Sequence, residues 1–114
     1  MRFLSIHIPA QPMSGPPTGE DMAKMGQLME ESMRSGKLVF TGGLKKRETA
    51  GFTLTRTNGA YKIDTAPQTA WMRGGGFAIL ETASREEAIA EVKKFMEIAG
   101  DGVSEIIEIS TPTR

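Results

Sequence analysis

Hydrophobic positions alternate with other residues over the first stretch of chain, residues 2–8, and this pattern predicts a β-strand. One face of the strand is wholly apolar and carries Leu4, Ile6 and Ile8. The other face is mixed and carries Phe3, Ser5 and His7. If the wholly apolar face packs on the predicted helices, the mixed face points away from them.

Two later segments carry apolar residues at three- and four-residue spacing, which is typical of amphipathic helices. The first helix is predicted to begin at a Thr18 cap and to end near residue 35, before Gly36. The second opens with a capping box, Ser84 to Glu87, and is stopped by Gly100–Gly102. The apolar face of the first helix is mainly methionine: Met22, Met25, Met29 and Met33. We interpret these methionines as core residues, although methionine also suits an adaptable pocket.

Shorter apolar runs predict the remaining strands, over residues 38–41, 75–81 and 103–110. Residues 52–64 form two β-rich runs around Asn58-Gly59, a dipeptide that favours a two-residue type I′ hairpin. The predicted register places Arg56 opposite Tyr61. The element order is therefore strand, helix, strand, hairpin, strand, helix, strand. This order predicts an α+β fold, a ferredoxin-like antiparallel sheet with two helices on one face and an inserted β-hairpin.

The strand at residues 75–81 indicates how the domain assembles. Phe77 and Ile79 lie on one face and Ala78 and Leu80 on the other, so both faces are apolar. Two helices can cover only one face of the sheet. We therefore expect a second copy to cover the other face, giving a homodimer that forms an α+β barrel. The 114 residues fit a single domain, residues 1–114.

Composition excludes several classes of function. Fourteen Lys and Arg balance fourteen Asp and Glu, and the basic run at residues 45–47 has no interleaved aromatic residue, so we expect no nucleic-acid partner. The N-terminal apolar stretch is too short for a signal peptide or a membrane span, so we expect a cytoplasmic protein without a membrane partner. The chain has no cysteine and one histidine, which leaves no recognisable metal site, and we expect no cofactor.

His7, the only imidazole, is the strongest candidate for acid–base chemistry because its ordinary pKa lies near neutrality. With Leu4, Ile6 and Ile8 on the helices, His7 would point into the barrel between the two sheets. Asp64, which closes the hairpin, could orient His7 or a ligand hydroxyl. The structural alternatives are a half-buried strand histidine and an aspartate that accepts backbone N–H bonds in the following turn.

Trp71 and Arg73 are candidate ligand contacts. They lie in the loop before the glycine-rich strand, where an indole offers a stacking surface and a guanidinium a fork for an anion. Ser5, beside His7 on its strand face, and Gln68, in the same loop as Trp71, complete the predicted ligand-binding set. Alternatively, Trp71 anchors the loop or the dimer interface.

Three segments resemble the YCII-related, or DGPF-domain, family of small bacterial proteins. The first is Phe40 to Leu44, which resembles the family's strand ending in Gly-Gly-Leu. The second is the hairpin ending at Asp64, where the family has its Asp-Gly-Pro-Phe motif. The third is Gly75 to Ile89, which resembles the family's Gly-Gly strand and capped helix. The resemblance implies a ferredoxin-like fold and a dimer whose sheets form a barrel.

The motif itself is degenerate in this chain, since only Asp64 stands in place and Thr65 replaces the glycine. Catalysis proposed for the wider superfamily uses a histidine in the first helix, and residues 21–34 contain none. We therefore favour a non-catalytic dimeric module that binds a small ligand or another protein. The alternative is a small cofactor-independent enzyme that uses His7 with Asp64 in a barrel cavity.

Overall fold

A computed structural model describes residues 1–10, 19–44, 51–65 and 75–110. The described elements are two helices and six strands. In chain order they are β1 (Arg2–Pro9), α1 (Gly19–Arg34), β2 (Leu38–Gly43), β3 (Thr53–Thr57), β4 (Ala60–Asp64), β5 (Gly76–Glu81), α2 (Arg85–Ala99) and β6 (Gly102–Glu108). In the described part of the chain, neither helix has the length and apolar character needed to cross a bilayer.

Four strands form one antiparallel sheet in the order β2-β5-β1-β6. The central strands β1 and β5 are joined to the edge strands through the two helices, so each half of the fold is a strand–helix–strand unit. Strands β3 and β4 form a separate two-stranded sheet. This is the arrangement of a ferredoxin-like α+β fold with an inserted hairpin, as the sequence predicts.

The predicted start of the second helix, the ends of both helices and the hairpin turn are confirmed. Thr18, the predicted cap of the first helix, lies outside the described residues. Ser84 Oγ accepts a hydrogen bond of 3.1 Å from the Glu87 N–H at the start of α2. Gly36 and Gly100 have φ of 80° and 95° just after the two helices, a conformation that glycine adopts without strain. Asn58 and Gly59 have φ of 52° and 82°, as a type I′ turn requires.

The hairpin also has the predicted register, with Arg56 opposite Tyr61 and Leu54 opposite Ile63. Residues directly opposite each other in an antiparallel pair lie on the same face. Leu54, Arg56, Tyr61 and Ile63 therefore share one face of the hairpin, and the Arg56 guanidinium lies 5.9 Å from the centre of the Tyr61 ring. The opposite face is polar and includes the pair Thr55 and Lys62.

The helices do not pack on Leu4, Ile6 and Ile8, so the condition under which His7 would point into a barrel between two sheets is not met. The helices cover the mixed face of β1, so Phe3, Ser5 and His7 are buried beneath them and the Leu4, Ile6 and Ile8 face points away. On the covered face, the register of the central strands places Phe3 beside Leu80. Both residues belong to the small hydrophobic core of the described chain, formed by Phe3, Leu38, Leu80, Ala88 and Val92.

The methionine face of α1 is only partly buried, which corrects the interpretation that all four are core residues. Met29 packs against the core and Met25 is half-buried, but Met22 is 61% exposed and Met33 is also largely exposed. Each residue lies about 100° further around the helix axis than the one before it. Met33 comes one residue after the innermost position, so its side chain points about 100° away from the core. That position is occupied by Ser32, which is buried.

The sheet face turned away from the helices, called here the open face, is largely apolar. Its members follow from the register and from the alternation of side chains along each strand; they are Leu4, Ile6, Ile8, Phe40, Phe77, Ile79, Val103 and Ile107. Arg2 and Glu81 form an ion pair at one end of this face. Glu105 lies opposite Ile6 near its middle and has no ion-pair partner within the described chain.

Candidate functional site: a cavity between the helices and the sheet

A cavity of about 270 Å³ lies between the two helices and the helix-facing side of the sheet. It exists because the sheet contributes small side chains at its floor while the helices contribute long ones above. The floor includes Ser5, Thr41, Gly43, Gly76 and Ala78, and the upper wall includes Met25, Leu28, Met29, Val92 and Phe95. An apolar cavity of about 150 Å³ holds a benzene ring, so this one has room for a larger, mainly apolar molecule.

His7 lies at the floor of the cavity and is 6% exposed. Its Nδ1 lies 3.2 Å from Ser104 Oγ on β6, and its ring meets the Phe95 ring edge-on at 5.1 Å. Burial in these surroundings lowers the pKa of His7 below its ordinary value, because the charged form loses hydration. The imidazole is therefore neutral at pH 7. Nδ1 faces Ser104, and Nε2 has no hydrogen-bond partner among the described residues, so Nε2 is the nitrogen that can bind a ligand.

Gly102 makes room for the His7 ring. A Cβ atom at position 102 would lie 2.9 Å from His7 Cε1 and would also collide with the Ile8 carbonyl oxygen. Real Cβ atoms do not tolerate such distances, so any larger residue would shift the ring or separate β6 from β1. The position of the imidazole therefore depends on a glycine in the neighbouring strand.

Ser5 lies two residues before His7 on the same strand face and is also 6% exposed. None of the side chains or backbone groups that the structure describes forms a hydrogen bond with its hydroxyl. A buried hydroxyl without a partner is costly, since it loses hydrogen bonds to water without replacement. Within the described part of the chain, the Ser5 hydroxyl is therefore a donor and acceptor still open to a ligand on the floor of the cavity.

Glu91 brings a charge to the edge of the cavity. It lies on the inner side of α2, and its side chain is only 6% exposed. Ser32 Oγ donates a hydrogen bond of 3.1 Å to one carboxylate oxygen, while the Lys94 and Lys37 ammonium groups lie 3.2 Å and 3.7 Å from the other. These contacts satisfy the carboxylate and tie α1 to α2. We assign Glu91 a structural role at the cavity wall.

The low pKa of His7 predicts how stability depends on pH. Between the lowered folded-state pKa and the unfolded value near 6.5, the unfolded chain binds more protons than the folded chain. The free energy of unfolding should therefore fall as the pH drops from about 7.5 to about 5.5. Urea unfolding of the wild type and of His7→Gln checks this, because the variant should lose less stability over the same range. Equal pH dependence in the two proteins would contradict a buried neutral imidazole.

The structure places the sequence-predicted site residues in different regions. His7 and Ser5 lie together in the cavity, beneath the helices rather than between two sheets. Asp64 is half-buried at the end of β4 and is not among the cavity residues, so the structure does not bring it to His7. Gln68, Trp71 and Arg73 lie outside the described residues.

The sequence interpretation missed Ser32 and Glu91. A signal for both was present, because each polar residue occupies an inward position within an apolar helical repeat. Glu91 lies three residues after Ala88 and directly before Val92, both of which are buried. Such a position predicts a buried polar contact between helices. No group of three or more His, Asp or Glu suited to a metal ion occurs in the described part of the chain.

The chain was also compared with known proteins. No protein-family model matches it, and no curated protein shows significant similarity to it.

Proposed function

We propose that this chain is a homodimeric, non-catalytic protein that binds a small molecule in the cavity between its helices and its sheet. The observation that carries the proposal is that the floor of an apolar cavity carries two polar groups: the neutral His7 imidazole and a buried Ser5 hydroxyl that has no hydrogen-bond partner among the described residues. Ligand pockets typically combine apolar walls with a few convergent polar groups. Membership of the YCII-related family, with its barrel-like dimer, is part of the same proposal.

The walls define the chemistry of the ligand. Met25, Met29 and Phe95 offer apolar and polarisable surface, and methionine adapts to irregular shapes. Neither Ser5 nor His7 is charged at neutral pH, so the floor can bind a hydroxyl or carbonyl group but offers no counter-charge. We expect an uncharged, mainly apolar molecule with one hydrogen-bonding group.

The homodimer is supported by the apolar character of the open face. Phe40, Val103 and Ile107 on this face are 57%, 58% and 66% exposed. A contiguous apolar face of this kind is normally covered by a partner, and a stable interface needs about 800 Å² from each subunit. The open face therefore favours a second copy packed on it.

Ligand binding can be tested with two matched probes, p-cresol and toluene. The two molecules have the same shape except for the hydroxyl group of p-cresol. Methyl-labelled methionine provides the readout, because Met25 and Met29 line the cavity while Met22 and Met33 on the same helix are largely exposed. We expect both probes to shift the Met25 and Met29 methyl resonances and to leave the other two unchanged. The p-cresol hydroxyl should strengthen binding several-fold, as one hydrogen bond does.

Ser5→Ala should remove most of the preference for p-cresol while toluene still binds. Two results would contradict the proposal: no methyl shift with either probe at millimolar concentration, or equal shifts at all four methionines.

The alternative is an enzyme of the same architecture. It is favoured by the imidazole of His7, which lines the cavity and is neutral because burial lowers its pKa. A neutral imidazole can accept a proton from a bound substrate. This alternative requires His7 to act without Asp64 in direct contact. It predicts that His7→Gln abolishes any turnover while p-cresol binding persists.

A further inference from the structure

The hairpin formed by β3 and β4 exposes an apolar face. Leu54, Tyr61 and Ile63 lie on this face and are 58–67% exposed. An isolated two-stranded sheet is at best marginally stable in water, and side chains of this size are normally covered. The other face of the hairpin is rich in threonine and needs no cover. The apolar face therefore has the character of a contact surface.

The charges on the two apolar surfaces of the molecule are complementary. Arg56 is the only charged residue on the apolar face of the hairpin, and it has no ion-pair partner within the described chain. Glu105, near the middle of the open face, likewise has none there. A cation surrounded by apolar residues thus occurs on one surface and an anion surrounded by apolar residues on the other. Such matching is typical of surfaces that contact each other.

We propose that the β3–β4 hairpin is an arm that lies on the open face of the second copy, with Arg56 paired to the partner's Glu105. The inference rests on the proposed homodimer and extends it to a specific contact. Five-residue strands reach roughly 17 Å and two strands span roughly 10 Å, which covers about half of a four-stranded sheet. In a two-fold dimer the arm of each subunit covers part of the other subunit's sheet. The ion pair between Arg56 and the partner's Glu105 therefore occurs twice.

Charge reversal tests the arm. Arg56→Glu and Glu105→Arg should each raise the dimer dissociation constant at least tenfold, because each places like charges in contact at both copies of the pair. The double variant Arg56→Glu with Glu105→Arg restores opposite charges and should return the constant to within about threefold of wild type. Sedimentation of each protein over a dilution series measures these constants.

Lys62→Glu is the matched control, since it makes the same charge change on the polar face of the same hairpin. It should leave the dissociation constant unchanged. A double variant that is no tighter than the weaker single variant would overturn the Arg56–Glu105 contact, and so would single variants that associate like wild type. A wild type that is monomeric at tens of micromolar would overturn the homodimer itself. If only the proposed arm contact is wrong, the wild type is still a dimer.

Cross-linking gives a second measurement that does not depend on affinity. The chain has no cysteine, so introduced cysteines are the only thiols. We expect a short bismaleimide to link two chains covalently in the variant Arg56→Cys with Glu105→Cys. The variant Lys62→Cys with Glu105→Cys should give little linked dimer. Equal yields from the two variants would contradict an arm that presents its apolar face to the partner.

Discussion

Phe3→Ala should lower the free energy of unfolding by about 3–5 kcal/mol, as truncation of a buried aromatic side chain typically does. Phe3 is 4% exposed and packs with Leu80 and the helix residues Ala88 and Val92. The loss combines the lost burial of the ring with the cavity left behind, since the neighbouring strands cannot close over it. Urea denaturation followed by circular dichroism measures the change.

Phe52→Ala provides the control, because the same atoms are removed from a side chain that is mostly exposed. A surface substitution of this kind usually changes stability by about 0.5 kcal/mol or less. If Phe3→Ala cost no more than Phe52→Ala, the helices would not lie on the Phe3 face of the sheet. The comparison thus tests which face of the sheet the helices cover.

Ile107→Asp should convert a dimer into a monomer at micromolar concentration. Ile107 lies on the open face and is 66% exposed in one copy, so the aspartate stays hydrated in the isolated subunit. Covering that face with a second copy would bury the carboxylate without a partner, which costs several kcal/mol. We expect the dissociation constant to rise by about two orders of magnitude or more. Light scattering at several concentrations measures it.

Met22→Asp is the matched control, since it also replaces a well-exposed apolar residue, but on the helix layer. It should remain a dimer. Dimers of equal strength in the two variants would show that the open face is not the interface, and a monomeric wild type would remove the basis of the prediction.

Local patterns predict the secondary structure well because their causes are local. Asn58-Gly59 fixes the hairpin through backbone conformation, and Ser84 fixes the start of α2 through one hydrogen bond. The order of elements then restricts the topology to a few arrangements, of which the ferredoxin-like sheet is one. Each of these features can be read from neighbouring residues alone.

The side of the sheet that the helices cover is not a local property. A one-residue alternation shows that β1 has two different faces but does not show which face meets the helices. The helices cover Ser5 and His7 rather than the wholly apolar face, and a cavity lies above these two residues. The ligand-binding function that we propose gives a reason for this arrangement, because polar residues buried beside a cavity can meet a ligand.

The candidate site could be predicted only in part for the same reason. His7 and Ser5 share a strand face, so two-residue spacing brings them together. Glu91 and Ser32 lie 59 residues apart on different helices, and only the packing of those helices joins them. Asp64 belongs to a hairpin whose placement the sequence does not specify, so its predicted pairing with His7 had no geometric support.

The small interior of the subunit has a consequence for its melting behaviour. Only five apolar side chains form the buried core among the described residues, and the four that are larger than alanine each remain 4–9% exposed. In the homodimer that we propose, a subunit with so little interior gains much of its folding free energy from the copy that covers its open face. Unfolding of such a dimer releases two chains, so mass action would make the melting temperature rise with protein concentration. Dilution alone would then act on the proposed dimer as a mild denaturant.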